Sequence, residues 1–327
     1  MHFSLEGADV HRAWPAPPQV PRYSYLGELT GEDNFKADAS GRNTATRLLH
    51  WLVGINRYRK RQVLQRPMCG IVGPNGRIYV TDVGRQAVFV FDLPAGRLRV
   101  WKWARAGTRF ETPVGIALGP GGQILVADAG LKGVFRLDHA GRPLGEIGAG
   151  VLKRPTGLAR DARLGLIYVA DTGANDIKVF NDDGKLVKVI GRRGRGPGEF
   201  NGPTHITFAG DRLYVSDTLN ARIEVFDARG KYLRTFGRRG LYLGDLVRPK
   251  GVAVDNEGDV YVVESYYGYL LVYNKRGRFL LPIGGTGSGV GQFYLPAGVW
   301  VGPHDRVYVA DMFNARVVVF QYLGARK

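Results

Sequence analysis

The stretch Leu213-Tyr214-Val215-Ser216-Asp217-Thr218-Leu219-Asn220-Ala221-Arg222-Ile223-Glu224-Val225-Phe226 recurs almost intact as Val307-Tyr308-Val309-Ala310-Asp311-Met312-Phe313-Asn314-Ala315-Arg316-Val317-Val318-Val319-Phe320. Weaker copies place their acid at Asp82, Asp128, Asp171 and Glu264, so acids stand at positions 82, 128, 171, 217, 264 and 311, separated by 46, 43, 46, 47 and 47 residues. A proline opens each of the six units in the same phase: Pro67, Pro113, Pro155, Pro203, Pro249 and Pro296. Each unit reads as four short strands. Strand a follows the proline, strand b ends at the acid, strand c is an Ile/Val-x-Val-Phe run, and strand d follows a glycine turn such as Gly230. Val, Ile, Tyr and Phe fill the runs while Gly, Asp, Asn and Pro separate them, as turn chemistry requires. Repeats of this length with four strands are the blades of a β-propeller. The expected fold is therefore all-β: a six-bladed β-propeller of four-stranded blades, closed by an N-terminal strand, with one short helical insert.

The recurring P-x-G-[IV] opening, Y-V-[AS]-D strand end and N-A-R-[IV] turn resemble those of the NHL-repeat six-bladed propellers, over about residues 67–323. Within that family the chain is most similar to bacterial proteins that join a Trp-Pro-rich start, here Trp14-Pro15-Ala16-Pro17-Pro18-Gln19-Val20-Pro21-Arg22, to such a propeller. Many of those relatives are exported, so the resemblance implies a periplasmic or extracellular site. The start Met1-His2-Phe3-Ser4-Leu5-Glu6-Gly7 lacks a basic segment followed by an apolar one, and on that reading the chain would stay in the cytoplasm.

The ends of the chain suggest how the ring closes. The sixth unit stops at about Leu323 without a strand d, and Arg22-Tyr23-Ser24-Tyr25-Leu26-Gly27-Glu28-Leu29 has the alternation of one. The domain plan is an extended Pro-rich arm at 1–20 and a single propeller at 21–327, with a closing strand at 22–29, a helical insert at 30–65 and the repeats after it. In the insert Leu48, Leu52 and Ile55 recur at helical spacing, with Asn43 or Thr44 as N-cap, before the basic run Arg57-Tyr58-Arg59-Lys60-Arg61.

Charge is the second constraint. There are 46 basic against 29 acidic side chains, leaving a net +17. No run reaches the ~18 apolar residues of a membrane span. The single cysteine, Cys69, rules out an internal disulfide and a Cys-based zinc site. In a propeller the d-to-a links and b-to-c turns emerge on one face. That face receives Arg192, Arg193, Arg195, Arg238, Arg239, Lys153, Arg154 and Arg248, and with the insert Arg57, Arg59, Lys60 and Arg61. Most remaining acids fall on the other face, so the excess cations point to an anionic partner. Arg222 and Arg316 belong to the repeat and read as structural ion pairs. Blade five replaces the Asn-Ala-Arg turn with Tyr266, Tyr267 and Tyr269, which with Tyr242 form an aromatic anchor for a partner or pack between blades.

A channel enzyme needs ligating or titrating side chains on the innermost strands. The strand-a glycine position holds Gly70, Gly115, Gly157, His205, Gly251 and Gly298, so His205 alone could ligate, with Lys250 near it. The pair is a candidate site for a small anion. The ring of strand-b acids reads as acceptors of turn N–H groups rather than a metal site, and no P-loop is present because no helix follows the glycine-rich links. The expectation is a non-catalytic scaffold, with no catalytic residue, metal or cofactor, whose basic face docks an acidic protein or another anionic polymer or surface. The alternatives are RNA binding, as in some animal NHL propellers, and a channel-metal hydrolase or lyase.

Overall fold

The computed structural model describes residues 2–36 and 61–324. Six antiparallel blades follow one another in chain order, five of four strands and the sixth of four with a short fifth strand at its edge. Blade one runs through Pro67–Val72, Ile78–Asp82, Ala87–Asp92 and Arg97–Trp101, and blade four through Pro203–Ala209, Arg212–Asp217, Arg222–Asp227 and Tyr232–Phe236. In the sixth sheet Val299–Gly302, Arg306–Asp311 and Arg316–Tyr322 are joined by Tyr23–Leu29, which pairs Tyr322 with Tyr23 and Val317 with Leu29. The N-terminal strand thus closes the ring. Among the described residues the helical elements are single 3-10 turns such as Glu32–Asn34, and none is long and apolar enough to cross a membrane.

Burial follows from position in the blade. Strands b and c are covered on both faces by neighbouring blades, so Ile78–Asp82 and Ala87–Asp92 are buried at every residue. Strand d is the outer edge, and Leu186–Ile190 is exposed until its last residue. The strand-b acids hold this packing together. Asp128 accepts N–H bonds from Glu111 and Thr112 in the preceding link and from Gly130 and Leu131 in its own turn. Asp82 does the same for Gln65, Arg66 and Arg85, and Glu264 for Val247, Arg248 and Tyr266. Hydroxyls add a second inter-blade tie, Thr172 donating to Pro203 O and Thr218 to Pro249 O.

The N-terminal segment is not the surface arm that its prolines suggest. Ala13–Trp14 adds a fifth strand to blade six, and His2–Phe3 pairs with Phe35–Lys36. Trp14 is buried edge-on against Phe320, over Gly291, where a Cβ would meet the indole at 2.2 Å. Pairing a strand and burying an indole outweigh what an extended, solvated arm would gain. The predicted helix, with Asn43, Thr44, Leu48, Leu52 and Ile55, lies outside the described residues. The segments flanking it are fastened: the Asn34 side chain donates to Ser4 O and Glu28 O, and Arg61 pairs with Asp33 at 2.6 Å.

One cluster works against stability. Asp255 and Glu257 crowd Asp259, and burial together with their charge pushes its carboxyl up to about 6. At low pH the group is protonated in the folded and unfolded chain alike and costs nothing. Above about 6 it is ionised in both, and the folded state carries the penalty, so this contribution falls as pH rises from about 4 to 6. Asp259→Asn is expected to raise the Tm at pH 8 by more than at pH 4, which calorimetry at the two pH values checks.

Candidate functional site

Three of the d-to-a links share one design. In each, parallel bridges (Arg193 with Phe200, Arg239 with Leu246, Thr286 with Phe293) close a loop over a fully buried Phe200, Leu246 or Phe293. A polar side chain fills the loop from inside. Glu199 accepts from the amides of Arg195 and Gly196, Asp245 from that of Tyr242, and Gln292 from that of Gly289. A Cβ at Gly194 would lie 2.1 Å from the Glu199 carboxylate, and one at Gly240 2.0 Å from that of Asp245, which explains the glycine that follows each arginine pair. Arg222 staples the first of these loops, pairing with Asp217 and Glu224 and donating to the carbonyls of Arg195, Gly196 and Glu199. Arg316 does the same for the third, through Asp311, Glu28, Gly289 O and Gln292 O.

The five link arginines therefore differ from one another. Arg192 and Arg238 meet Glu199 and Asp245, at 2.9 Å and 3.1 Å. Arg193, Arg195 and Arg239 stand exposed with no ion-pair partner among the described residues, Arg239 donating only to Leu219 O. Arg57, Arg59 and Lys60 lie outside the described residues. On the opposite face acids meet cations: Asp92 with Arg77 and Arg99, Asp138 with Arg142, Asp182 with Arg160, Asp211 with Arg163.

The four tyrosines separate. Tyr242 and Tyr266 are exposed, Tyr267 is half-buried with its ring edge-on to Tyr266 at 5.0 Å, and Tyr269 packs into the core between blades four and five. The feature that motif reading misses is aliphatic. Leu241 is 83% and Tyr242 82% exposed at the tip of the Arg238-Arg239 loop, with Leu243 and Leu219 also exposed. The signal lay in the triplet Leu241-Tyr242-Leu243, which stands where the sister loops carry Arg195-Gly196-Pro197 and Ser288-Gly289-Val290. Elsewhere on this face an unforeseen hairpin, Trp103–Arg105 with Thr108–Arg109, presents Trp103 under the Arg109 guanidinium.

The inner strands enclose a channel of about 420 Å³. Its lining includes His205, Cys69 and Trp300 and reaches Ala162 and Ala209 in the a-to-b turns, so it opens away from the arginine loops. His205 is buried, and burial with the nearby Lys250 charge drives its imidazole down to about 3, leaving it neutral. Lys250, itself lowered by burial and by Arg248, stands outside the cavity lining. The two residues are thus close enough for charge to act between them, but only His205 lines the cavity. Burial pushes the Cys69 thiol up to about 11, so it is no thiolate nucleophile at neutral pH. Among the described residues no group of three or more His, Cys, Asp or Glu could hold a metal ion.

A family model described as a six-bladed beta-propeller matches residues 160–207 and 245–325. No curated protein sequence matches the chain. Among solved structures it is similar to a streptogramin B lyase, at 15% identity over 79% of this chain and 94% of that one, with a TM-score of 0.59. It is similar to a gluconolactonase from Xanthomonas campestris, at 17% identity over 80% and 89%, TM-score 0.59. A luciferin-regenerating enzyme gives 14% identity over 80% and 92%, also at 0.59. At such identities the likeness shows the fold alone. It nevertheless corrects the expectation of a non-catalytic protein: these three propellers carry the names of enzymes, so the fold gives no ground for setting catalysis aside.

Proposed function

We propose that the protein is an NHL-type propeller whose arginine-bearing face docks an acidic partner protein. The observation that carries the reading is the Leu241-Tyr242-Leu243 tip, flanked by Arg193, Arg195 and Arg239, cations with no ion-pair partner among the described residues. An apolar centre inside a cationic rim matches the anatomy of a protein interface, where desolvated anchors supply affinity and rim charges supply approach rate and register. Exposed leucine favours protein over RNA, because single-stranded bases are held by stacking on aromatic or guanidinium planes.

Selection of phage-displayed peptides on the intact chain tests this. Peptides combining acids with an apolar anchor are expected, with affinity falling as salt rises. Arg193/Arg195/Arg239→Ala should weaken the best peptide by about tenfold, chiefly through association rate, and Leu241/Tyr242→Ser by at least as much through dissociation. A selection without an acidic consensus, or tighter arginine-dependent binding of a single-stranded RNA or of phosphatidylserine vesicles, would overturn the reading.

A further inference from the structure

We propose that the link at 192–200 is governed by a proton on the Glu224 carboxyl: with the proton the link is held fast, and without it the link loosens. The device acts on the link itself and does not depend on the docking reading.

Glu224 is an acid that the repeat does not call for. Seven residues after the strand-b acid the other blades carry Phe89, Phe135, Lys178, Leu271 and Val318. The Glu224 side chain is wholly buried, and the Gly198 amide of the link donates to its carboxylate at 3.1 Å. From its own strand it faces Arg222, from strand b Asp217 and from the link Glu199; the outer strand sets the uncharged Thr235 opposite it. Glu199 also pairs outward with Arg192. Asp217 and Glu224, both wholly buried, share the single guanidinium of Arg222.

That guanidinium is over-subscribed. Its Nε donates to Asp217 at 3.0 Å and its Nη1 to Arg195 O at 2.6 Å. Nη2 carries two hydrogens but meets three oxygens: Gly196 O and Glu199 O at 2.8 Å each, and Glu224 Oε1 at 2.6 Å. An ionised Glu224 and the link therefore compete for one nitrogen. A protonated Glu224 is neutral, gives up that claim and brings a donor of its own. Asp217 then stands alone against Arg222, and the charges balance.

Two other blades show how the conflict is avoided. In blade six Glu28 takes Nη1 of Arg316, which leaves Nη2 for the two link carbonyls. Glu28 is also 15% exposed and accepts from the Tyr25 hydroxyl. In blade three Lys178 stands at the Glu224 position and pairs with both Asp171 and Asp176, the latter again 15% exposed. Of these three blades, blade four alone has its second acid wholly buried.

The sign of the effect follows. Burial, opposed by Arg222 and reinforced by Asp217, pushes the Glu224 carboxyl from the ordinary 4.5 up to about 7. Burial raises Asp217 too, but the Asn201 amide, Asn220 and Arg222 all support its ionised form. The Gly196 amide and Arg192 hold Glu199 below its ordinary range, so it stays ionised near neutral pH. In an opened link Glu224 meets water and titrates at its ordinary value. The closed link binds the proton more tightly, so its stability falls as pH rises from about 4.5 to 7. The link carries Arg193 and Arg195, and the proton thereby sets how rigidly two cations of this face are presented.

Hydrogen exchange of the full chain at pH 5.5 and 8, corrected for intrinsic rates, tests this. The link at 285–293 is the internal reference, since Asp311 and Arg316 match Asp217 and Arg222 there while Val318 replaces Glu224. Relative to it, protection of the amides at 192–200 is expected to fall at least about tenfold at the higher pH. Glu224→Gln keeps an acceptor and a donor without the charge. It should abolish that dependence and leave the link protected at both pH values. Carboxyl-carbon NMR of the unaltered chain should place the Glu224 midpoint at about 7. An ordinary midpoint, equal protection of the unaltered link at both pH values, or a dependence that survives Glu224→Gln would overturn the proposal.

Discussion

A chain lacking residues 2–29 is expected to lose its cooperative unfolding transition and to expose aggregation-prone edges. Tyr23–Leu29 supplies the outer strand of blade six, and its pairing to Arg316–Tyr322 joins the first and last strands of the ring. Tyr23, Tyr25 and Leu29 are all buried, and the Tyr23 hydroxyl lies 3.1 Å from that of Tyr261 in blade five. Truncating a single large buried side chain costs roughly 2–5 kcal/mol. Removing three at once approaches the whole stability of an ordinary domain, about 5–15 kcal/mol. The loss also uncovers the backbone of strand c, a template for pairing with another chain. Calorimetry of the truncated protein checks this, and a peptide spanning 2–36 added in trans should restore part of the transition. A cooperative melt within a few degrees of the full chain would show that the ring does not depend on this closure.

The second large effect concerns two arginines of the same face. Arg316→Ala is expected to destabilise by about 3–5 kcal/mol, the cost of breaking a buried pair from one side. Its side chain is 9% exposed, and that of its partner Asp311 is wholly buried. Burial already holds the Asp311 carboxyl above its ordinary range, and loss of the guanidinium would push it higher. The penalty belongs to the ionised form, so the deficit of the variant should shrink as pH falls and the carboxyl is protonated in both states. Arg316→Lys keeps the charge but cannot span Asp311, Glu28 and the two carbonyls at once, and should fall between. Arg192→Ala is the contrast. Its side chain is 82% exposed, and removing its pairing with Glu199 should change stability by less than about 1 kcal/mol. Denaturant melts of the three variants decide the matter; equal effects for Arg316→Ala and Arg192→Ala would show that the loop is not held by its staple.

How much the chain announced differs between fold and sites. The repeat of proline and acid fixes the blade, because each blade is a local structure: its turns, strand lengths and the acid that accepts N–H bonds all lie within some 47 residues. Six copies in phase leave one way to bury the faces, and a missing last strand with a spare first one implies closure. The sites depend on what meets across the ring. Arg192 and Arg193 are adjacent and chemically identical, yet the loop turns one onto Glu199 and leaves the other in solvent. Trp14 reads as part of a proline-rich arm until Gly291, far away in sequence, supplies a place for its ring. The Trp300 ring finds its place in the core between blades six and one only because Gly70, far away in sequence, carries no side chain there. Periodicity is a property of neighbours along the chain and can be read from it. Which polar atoms find partners is a property of neighbours in space, and tertiary packing alone decided it.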